Sequence, residues 1–440
     1  MKKTLRTLSL VAMSALFALT GCKTTGDSSS SSKLDFFQLK ETDIGTKVNP
    51  DATKLAAYTD KQPLKLGLVT DSGTLNDHSF NESCWNGINE FATENGTGKL
   101  NTTKNVVDNG NIQTYYVQPS EGHYDTAGRK AAIDTVVEWG ANVIALPGYL
   151  FESVLARIAE DKTGKYSNVY FLALDCNKSD DDNNYASFEF TSNMTSIIYR
   201  EEQAGFLAGY AAVKDGYRKL GFLGGMAVPA VVRYGSGYCQ GADVAAKELG
   251  LHAGEVEINH YYAGAFGPTP TATNYCTSWY GSGTEVIFGC GGAVYQSIIA
   301  ALATNKDKKW IGVDVNQHAD TSLSDYEKKD CISSAMKNLK ATTKILLTSF
   351  VENGGKWNNT FAKNVVIVGA ESENCVLPTP ETTGDADCWG FKNFTVEQYN
   401  EVLSKLKAGT IAVNSNSDDA ALAAHNYGCD ELVKVSHINA

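Results

Sequence analysis

From Leu64 onward, short apolar runs alternate with stretches whose apolar positions recur every three to four residues. Leu64-Lys65-Leu66-Gly67-Leu68-Val69-Thr70 predicts a strand. Asn81 to Asn95 predicts a helix with Trp85, Ile88, Phe91 and Ala92 on one face. Further strands are predicted at Val143–Leu146, Val169–Leu174, Lys219–Leu223, Glu285–Phe288 and Trp310–Val313. Helices fill the gaps near 151–161, 195–213, 238–249 and 295–305. Trp85 and Trp139 read as core. Strands alternating with helices of ten to fifteen residues predict an α/β fold whose parallel sheets are covered on both faces.

Two sets of such units can be counted, one before about Asn184 and one after, which predicts two Rossmann-like lobes. The expected division is 63–188 plus 338–362 for the first lobe and 189–337 plus 363–440 for the second. Open α/β sheets bind ligands at the carboxyl ends of their strands. Polar and glycine residues collect at those ends: Asp71, Pro147-Gly148 and Asp175 in the first set, then Gly224-Gly225, Gly289 to Gly292 and Asp314 in the second. That recurrence predicts an organised cleft between the lobes.

The amino end follows different rules. Lys2, Lys3 and Arg6 precede an apolar run from Leu8 to Leu19, the pattern of an export leader over residues 1–21. The run is too short to span a bilayer as a mature helix. It closes on Leu19-Thr20-Gly21-Cys22, which resembles the bacterial lipobox and makes Cys22 the expected lipid-attachment site. Ser28 to Ser32 are consecutive serines, so residues 22–62 read as a flexible tether. No other window approaches a membrane span, and the lipid is the one expected link to the membrane.

Of 440 residues, 38 are basic and 50 acidic. Removing Lys2, Lys3 and Arg6 with the leader leaves 35 against 50, a charge of −15, which argues against a nucleic-acid surface. Nine cysteines follow Cys22, none in a C-x-x-C and none clustered with histidine at zinc spacing, so no metal is expected. Export permits disulfides, and Cys375 with Cys388, flanking a loop with two prolines and a glycine, is the first pair to expect.

Signatures of catalysis are missing: no G-x-x-x-x-G-K-[ST], no H-E-x-x-H, no G-x-S-x-G, and seven scattered histidines. Neither glycine-rich stretch gives G-x-G-x-x-G, so no cofactor is expected. What remains suits a neutral, hydroxyl-rich, aromatic ligand. Asp71, Asp175 and Asp314 can each accept two hydrogen bonds from a vicinal diol. Phe80 and Phe266 stand in loops where a ring can stack, and Lys337 is a cation near the expected crossing between lobes. Each also has a plainer reading: aspartates as helix caps, phenylalanines as outlying core, Lys337 as a solvated charge.

Val69-Thr70-Asp71-Ser72-Gly73, then Asn76-Asp77-His78-Ser79-Phe80-Asn81-Glu82-Ser83 and Trp85-Asn86-Gly87, resemble the opening of the basic membrane protein (BMP, PnrA-like) family, the substrate-binding lipoproteins of ABC transporters. The resemblance continues in Gly221 to Met226, Gly237-Tyr238-x-x-Gly241, Tyr262 to Phe266, Gly289 to Gly292, Ile311 to Gln317 and Ser334 to Lys337, and reaches about residue 410. It implies a type I periplasmic-binding-protein fold with hinge crossovers, a purine nucleoside ligand, permease and ATPase partners, and no enzymatic activity. Residue by residue, it implies that Phe80 and Phe266 sandwich the base and that Asp71 and Asn81 serve the first lobe's side. Asp314 and Lys337 would address the ribose hydroxyls, Asp175 a polar edge, and Gly291 and Gly292 would let backbone approach. Departures are His78, Glu82, a bulky Tyr149, an acidic loop at 179–184, and insertions near 100–124 and 372–390. A nucleoside-sensing receptor that signals to a partner uses the same cleft and stays open at this stage; an extracellular nucleoside-processing enzyme is the lesser alternative.

Overall fold

Val143–Pro147 and Val286–Cys290 are buried along their whole length, as strands covered on both faces must be. Each is an interior strand of its own sheet in the computed structural model, which describes residues 44–60, 62–103, 105–429 and 432–438. Cys22, the leader and most of the expected tether lie outside those residues.

Among the described residues the larger sheet has eight strands, in the order Val365–Val368, Met194–Tyr199, Tyr170–Leu174, Val143–Pro147, Leu64–Val69, Ile112–Val117, Val106–Asp108 and Asn101–Thr103. The first six run parallel and the last two fold back as an antiparallel hairpin, so of the segment near 100–124 residues 101–108 extend one sheet edge, whereas Ile112–Val117 pairs inside the sheet. The second sheet is parallel throughout, in the order Cys331–Met336, Lys309–Asp314, Val286–Cys290, Lys219–Gly224, Val256–Tyr262 and Val433–Ile438. These are the two expected lobes.

Sheet membership moves the expected lobe boundaries. Residues 195–213, read as one helix, divide into the strand Met194–Tyr199 of the first sheet and the helix Glu201–Asp215 packed on the second lobe. The strand is buried on both faces, so its apolar run carries no alternation to separate it from a helix. Val365–Val368, expected in the second lobe, also pairs in the first sheet. The chain therefore crosses between lobes after Tyr199, after Met336 and after Val368. The crossing segments are tied together, Met336 N–H donating to Val376 O at 2.8 Å and Asn338 N–H to Asn374 O at 3.0 Å. Cys375 and Cys388 are both buried free thiols, as are the other seven cysteines of the described residues. Cys388 accepts from the Thr383 hydroxyl at 3.5 Å instead of bonding Cys375. Trp85 is buried against Tyr116, whereas Trp139 is only partly covered, beneath the Lys65 ammonium 4.9 Å from its ring.

The helices Glu201–Asp215 and Pro229–Glu248 make the closest contact in the second lobe, and glycine is the reason. Gly205 and Gly209 face the carbonyls of Tyr234 and Tyr238, while Gly237 and Gly241 face those of Glu202 and Phe206. A Cβ at any of the four would collide with backbone that has no room to rotate away. Glycine inside a helix costs about 0.5–1 kcal/mol, and here close packing offsets it. The contact also fixes the spacing of Glu201 and Arg233, one on each helix. Gly209→Ala gains helix propensity of about 1 kcal/mol but forces the helices apart, an overpacking that costs typically 1–3 kcal/mol. Net destabilisation in urea unfolding is the expected outcome, and an unchanged or raised midpoint would contradict this packing.

Candidate ligand-binding site

A cavity of about 550 Å³ opens between the carboxyl ends of the two sheets. Asp71, Phe80, Asn81, Asp175, Phe266, Gly291, Gly292, Asp314 and Lys337, singled out in the sequence, all line it. The first lobe also contributes Asp77 and Tyr149, and the second Met226, Tyr234 and Gln296. The volume falls within the 300–1,000 Å³ range of small-molecule sites.

Phe80 and Asn81 stand at the start of the helix Phe80–Asn95. Asp77 organises that helix end by accepting the backbone N–H groups of Ser79 and Asn81 at 2.9 Å and of Glu82 at 3.2 Å. Its second oxygen also takes the Asn81 amide at 3.0 Å, which turns the Asn81 Oδ1 toward no protein partner. Burial pushes the Asp77 carboxyl up to about 7, in spite of those donors. Asp71 accepts from the Gly73 N–H at 2.9 Å and from Asn81 Nδ2 at 3.4 Å.

On the opposite lobe Phe266 lies over Gly225, Gly291 and Gly292. Gly291 and Gly292 hold φ of +119° and +53°, and a Cβ on either would press on Phe266. They line the cavity, but the space their missing side chains leave is taken by Phe266, so these glycines seat the ring. Asp175 and Asp314, at the ends of corresponding strands in the two sheets, hold φ of +62° and +63°. An aspartate tolerates this left-handed conformation at some cost, and here it turns both carboxylates into the cavity.

Lys337 joins the two sides. Its ammonium is buried, 2.6 Å from Asp175 Oδ2 and 2.7 Å from Glu201 Oε1. It also lies 4.8 Å from the Phe80 ring centroid and 4.9 Å from that of Tyr199. Glu201 in turn holds Arg233 Nε at 2.6 Å. Burial opposes the charge on Lys337, yet Asp175, Glu201 and Asp314 outweigh it and hold its pKa well above the ordinary value. Burial also opposes Glu201, where two cations, Arg233 and Lys337, win and draw it down. Asp175 has Lys337 as its close cation, burial prevails, and its pKa rises. Asp314 is raised by burial too, although Lys337 and the Ser79 hydroxyl at 2.5 Å resist. Asp175 Oδ1, like Asn81 Oδ1, has no hydrogen-bond partner. The site is rich in acceptors and short of donors.

Tyr149, bulkier than the resemblance implies, lines the cavity, and burial together with the nearby Asp181 carboxylate raises its phenol pKa. The acidic loop is the hairpin Ser179–Asp180 with Ala186–Ser187, pinned by Arg157, whose guanidinium meets both Asp180 oxygens at 2.8 and 3.2 Å.

A family model described as Bmp, ABC transporter substrate-binding protein PnrA-like, matches residues 64–376. The chain belongs to the Bmp family. The match stops short of the residue near 410 suggested by the motifs, and residues beyond 376 fall outside it. Over 338 residues the chain is 27% identical to the "ABC transporter nucleoside-binding protein BmpA" of Lactococcus lactis subsp. cremoris, covering 75% of this chain and 78% of that one. It is 26% identical over 312 residues to "Basic membrane protein A1" of Borrelia garinii subsp. bavariensis, covering 69% and 78%. Among solved structures, a solute-binding protein of an Aeropyrum pernix K1 ABC transporter system superposes with a TM-score of 0.56 at 18% identity, over 83% of this chain and 90% of that one. One from Conexibacter woesei also gives 0.56, at 16% identity over 80% and 99%. Those structures support the two-lobed fold. As a Bmp-family protein the chain is an ABC transporter substrate-binding protein, and the family's business is binding, in partnership with permease and ATPase subunits. No helix among the described residues is long and apolar enough to cross a membrane.

Sequence reasoning missed Glu201, Arg233 and Tyr234. Glu201 opens a helix whose start is hidden by the apolar strand before it, and Arg233 and Tyr234 lie inside another helix, so only the fold brings them together around Lys337. The same contacts redefine Lys337, expected as a free donor to sugar hydroxyls: two carboxylates already engage its ammonium. Removing one partner from a buried ion cluster costs about 3–5 kcal/mol. Lys337→Met is therefore expected to destabilise the ligand-free protein by that order in chemical unfolding. Adding Asp175→Asn should restore part of the loss by removing one stranded charge. A Lys337→Met variant as stable as wild type would show that the cluster braces nothing.

Proposed function

We propose that this Bmp-family protein captures nucleosides, purine ribonucleosides foremost, by closing its two lobes on them and presenting the closed form to its permease. The observation that carries this reading is the pairing, in one cavity, of aromatic rings from opposite lobes, Phe80 and Phe266, with buried acceptors that lack donors, Asn81 Oδ1 and Asp175 Oδ1. A flat base between the rings gains about 0.5–1.5 kcal/mol per aromatic contact beyond its burial. Asp71 and Asn81 take donors on the first lobe's side, Asp175 a polar edge, and Asp314, with the remaining donor of Lys337, the ribose hydroxyls. The printed name of the Lactococcus lactis relative, a nucleoside-binding protein, supports the same ligand class.

Ligand preference tests this directly. Removing the 2′-OH strands part of a buried polar set at about 1–3 kcal/mol, so guanosine should bind more tightly than deoxyguanosine by that margin. Guanosine monophosphate should bind poorly, because its phosphate meets Asp71, Asp77, Asp175 and Asp314 with no phosphate-binding loop to receive it. Titration calorimetry with guanosine, deoxyguanosine, guanosine monophosphate and ribose reads all four. Tight binding of free ribose, or preference for the monophosphate, would overturn the nucleoside assignment.

The amino end supports an extracytoplasmic, lipid-anchored location. Leu19-Thr20-Gly21-Cys22 offers Cys22 as the acylated residue, with Ser28–Ser32 in the tether that follows. In cells, Cys22→Ala should shift the protein from the detergent to the aqueous phase in a partition assay, and unchanged partition would remove the anchor from this account.

A further inference from the structure

Beside the cavity, the segment that follows the strand Lys309–Asp314 touches the other lobe without any ligand between. Gln317 is anchored in its own lobe, its N–H donating to Ser334 Oγ at 3.1 Å and its Oε1 accepting from Val313 N–H at 3.0 Å. Its amide then reaches across to the His78 carbonyl at 3.2 Å. The His78 ring stands 3.2 Å from Glu82 in the first turn of the helix that follows it and 3.4 Å from Asp320 on the second lobe. That Asp320 oxygen, Oδ2, is buried without a hydrogen-bond partner. Behind the same segment lies the 372–390 insertion. Its Asp385 accepts from Asn316 Nδ2 at 2.9 Å and meets His318 Nδ1 at 2.8 Å. Burial works against the Asp385 carboxylate, but those two partners outweigh it and hold its pKa below the usual range.

We propose that His78, Gln317 and Asp320 form a latch between the lobes, braced from behind by Asp385, and that this latch sets how long a bound ligand stays rather than which ligand is chosen. None of these four residues lines the cavity, so their contacts are the same whatever occupies it. Contacts made only when the lobes meet add to closure independently of the ligand and shift the open–closed equilibrium. The latch rests on the reading that ligand is held by lobe closure, and it adds His78, Gln317, Asp320 and Asp385 as positioning residues for that step.

The test uses His78→Asn, Asp320→Asn and Asp385→Asn. Asparagine tolerates the positive φ of +51° that His78 adopts, so the backbone there is preserved. Fluorophores introduced through unnatural residues at exposed Tyr124 of the first lobe and Tyr326 of the second report the distance between lobes. In ligand-free protein, His78→Asn and Asp320→Asn are expected to enlarge the open population, and Asp385→Asn to do so less. In stopped-flow measurements with guanosine, the first two should speed dissociation about tenfold, within the range of coupling between two side chains in contact. Association should quicken in proportion to the gain in open protein, and the guanosine-to-deoxyguanosine ratio should stay unchanged. The double variant should dissociate little faster than either single one, because both remove the same contact. Unchanged inter-lobe distances and dissociation rates in His78→Asn and Asp320→Asn would overturn the latch, as would fully additive effects. Should guanosine fail to bind wild type, the ligand reading falls, while the distance distributions without ligand still decide the latch.

Discussion

One ammonium group, carried by Lys337 where the chain crosses from the second lobe back to the first, holds the site together. It is buried between Asp175 of the first lobe and Glu201 at another crossing, and Glu201 is tied to Arg233 of the second lobe. A bare cation at this depth would be expelled or would lose its proton. Here the neighbouring carboxylates hold the charge on Lys337, and the rings of Phe80 and Tyr199 lie against its ammonium. Because its partners come from three segments far apart in sequence, the cluster forms only when both lobes and their crossings are in place.

The cluster also decides what the cavity asks of a ligand. Lys337 and Arg233 stand among Asp175, Glu201, Glu202 and Asp314, with Arg200 acting on Glu202 as well, so carboxylates still outnumber cations there. Protonation relieves part of the excess: burial raises Asp175 and Asp314 and lifts Glu202 to about 7. The rest favours a ligand that brings hydroxyl or N–H donors and no negative charge. The glycine-mediated contact between Glu201–Asp215 and Pro229–Glu248 bears on the same point, since the separation of those helices fixes the Glu201–Arg233 pair that keeps Lys337 in place.

The surroundings of the cavity divide the labour. On the proposed reading, residues that line it supply stacking faces and acceptors, whereas the His78–Asp320 contact and the Asp385 brace bear on closure. Tyr149 and its acidic hairpin border the first lobe's side of the same opening. Choice of ligand and lifetime of the closed form thus fall to different side chains, which lets one change without the other.

The alternation of apolar strands with amphipathic helices determined the α/β class and the two lobes, because burial on two faces leaves a continuous apolar run and burial on one leaves a helical stripe. Strand ends in α/β sheets face the crevice by construction, which is why Asp71, Asp175, Asp314 and Gly291 could be found without coordinates. Boundaries were harder. Met194–Tyr199 is apolar on every side and runs almost directly into Glu201–Asp215, so no period marks where strand becomes helix. Which strands cross between lobes also depended on pairing partners more than 150 residues away, as Val365–Val368 beside Met194–Tyr199 demonstrates. The roles of Lys337, Glu201, Arg233 and His78 belong to the tertiary structure alone. A charged side chain in a sequence is a solvated group until the fold removes its water, and only the fold sets which charge then stands beside it.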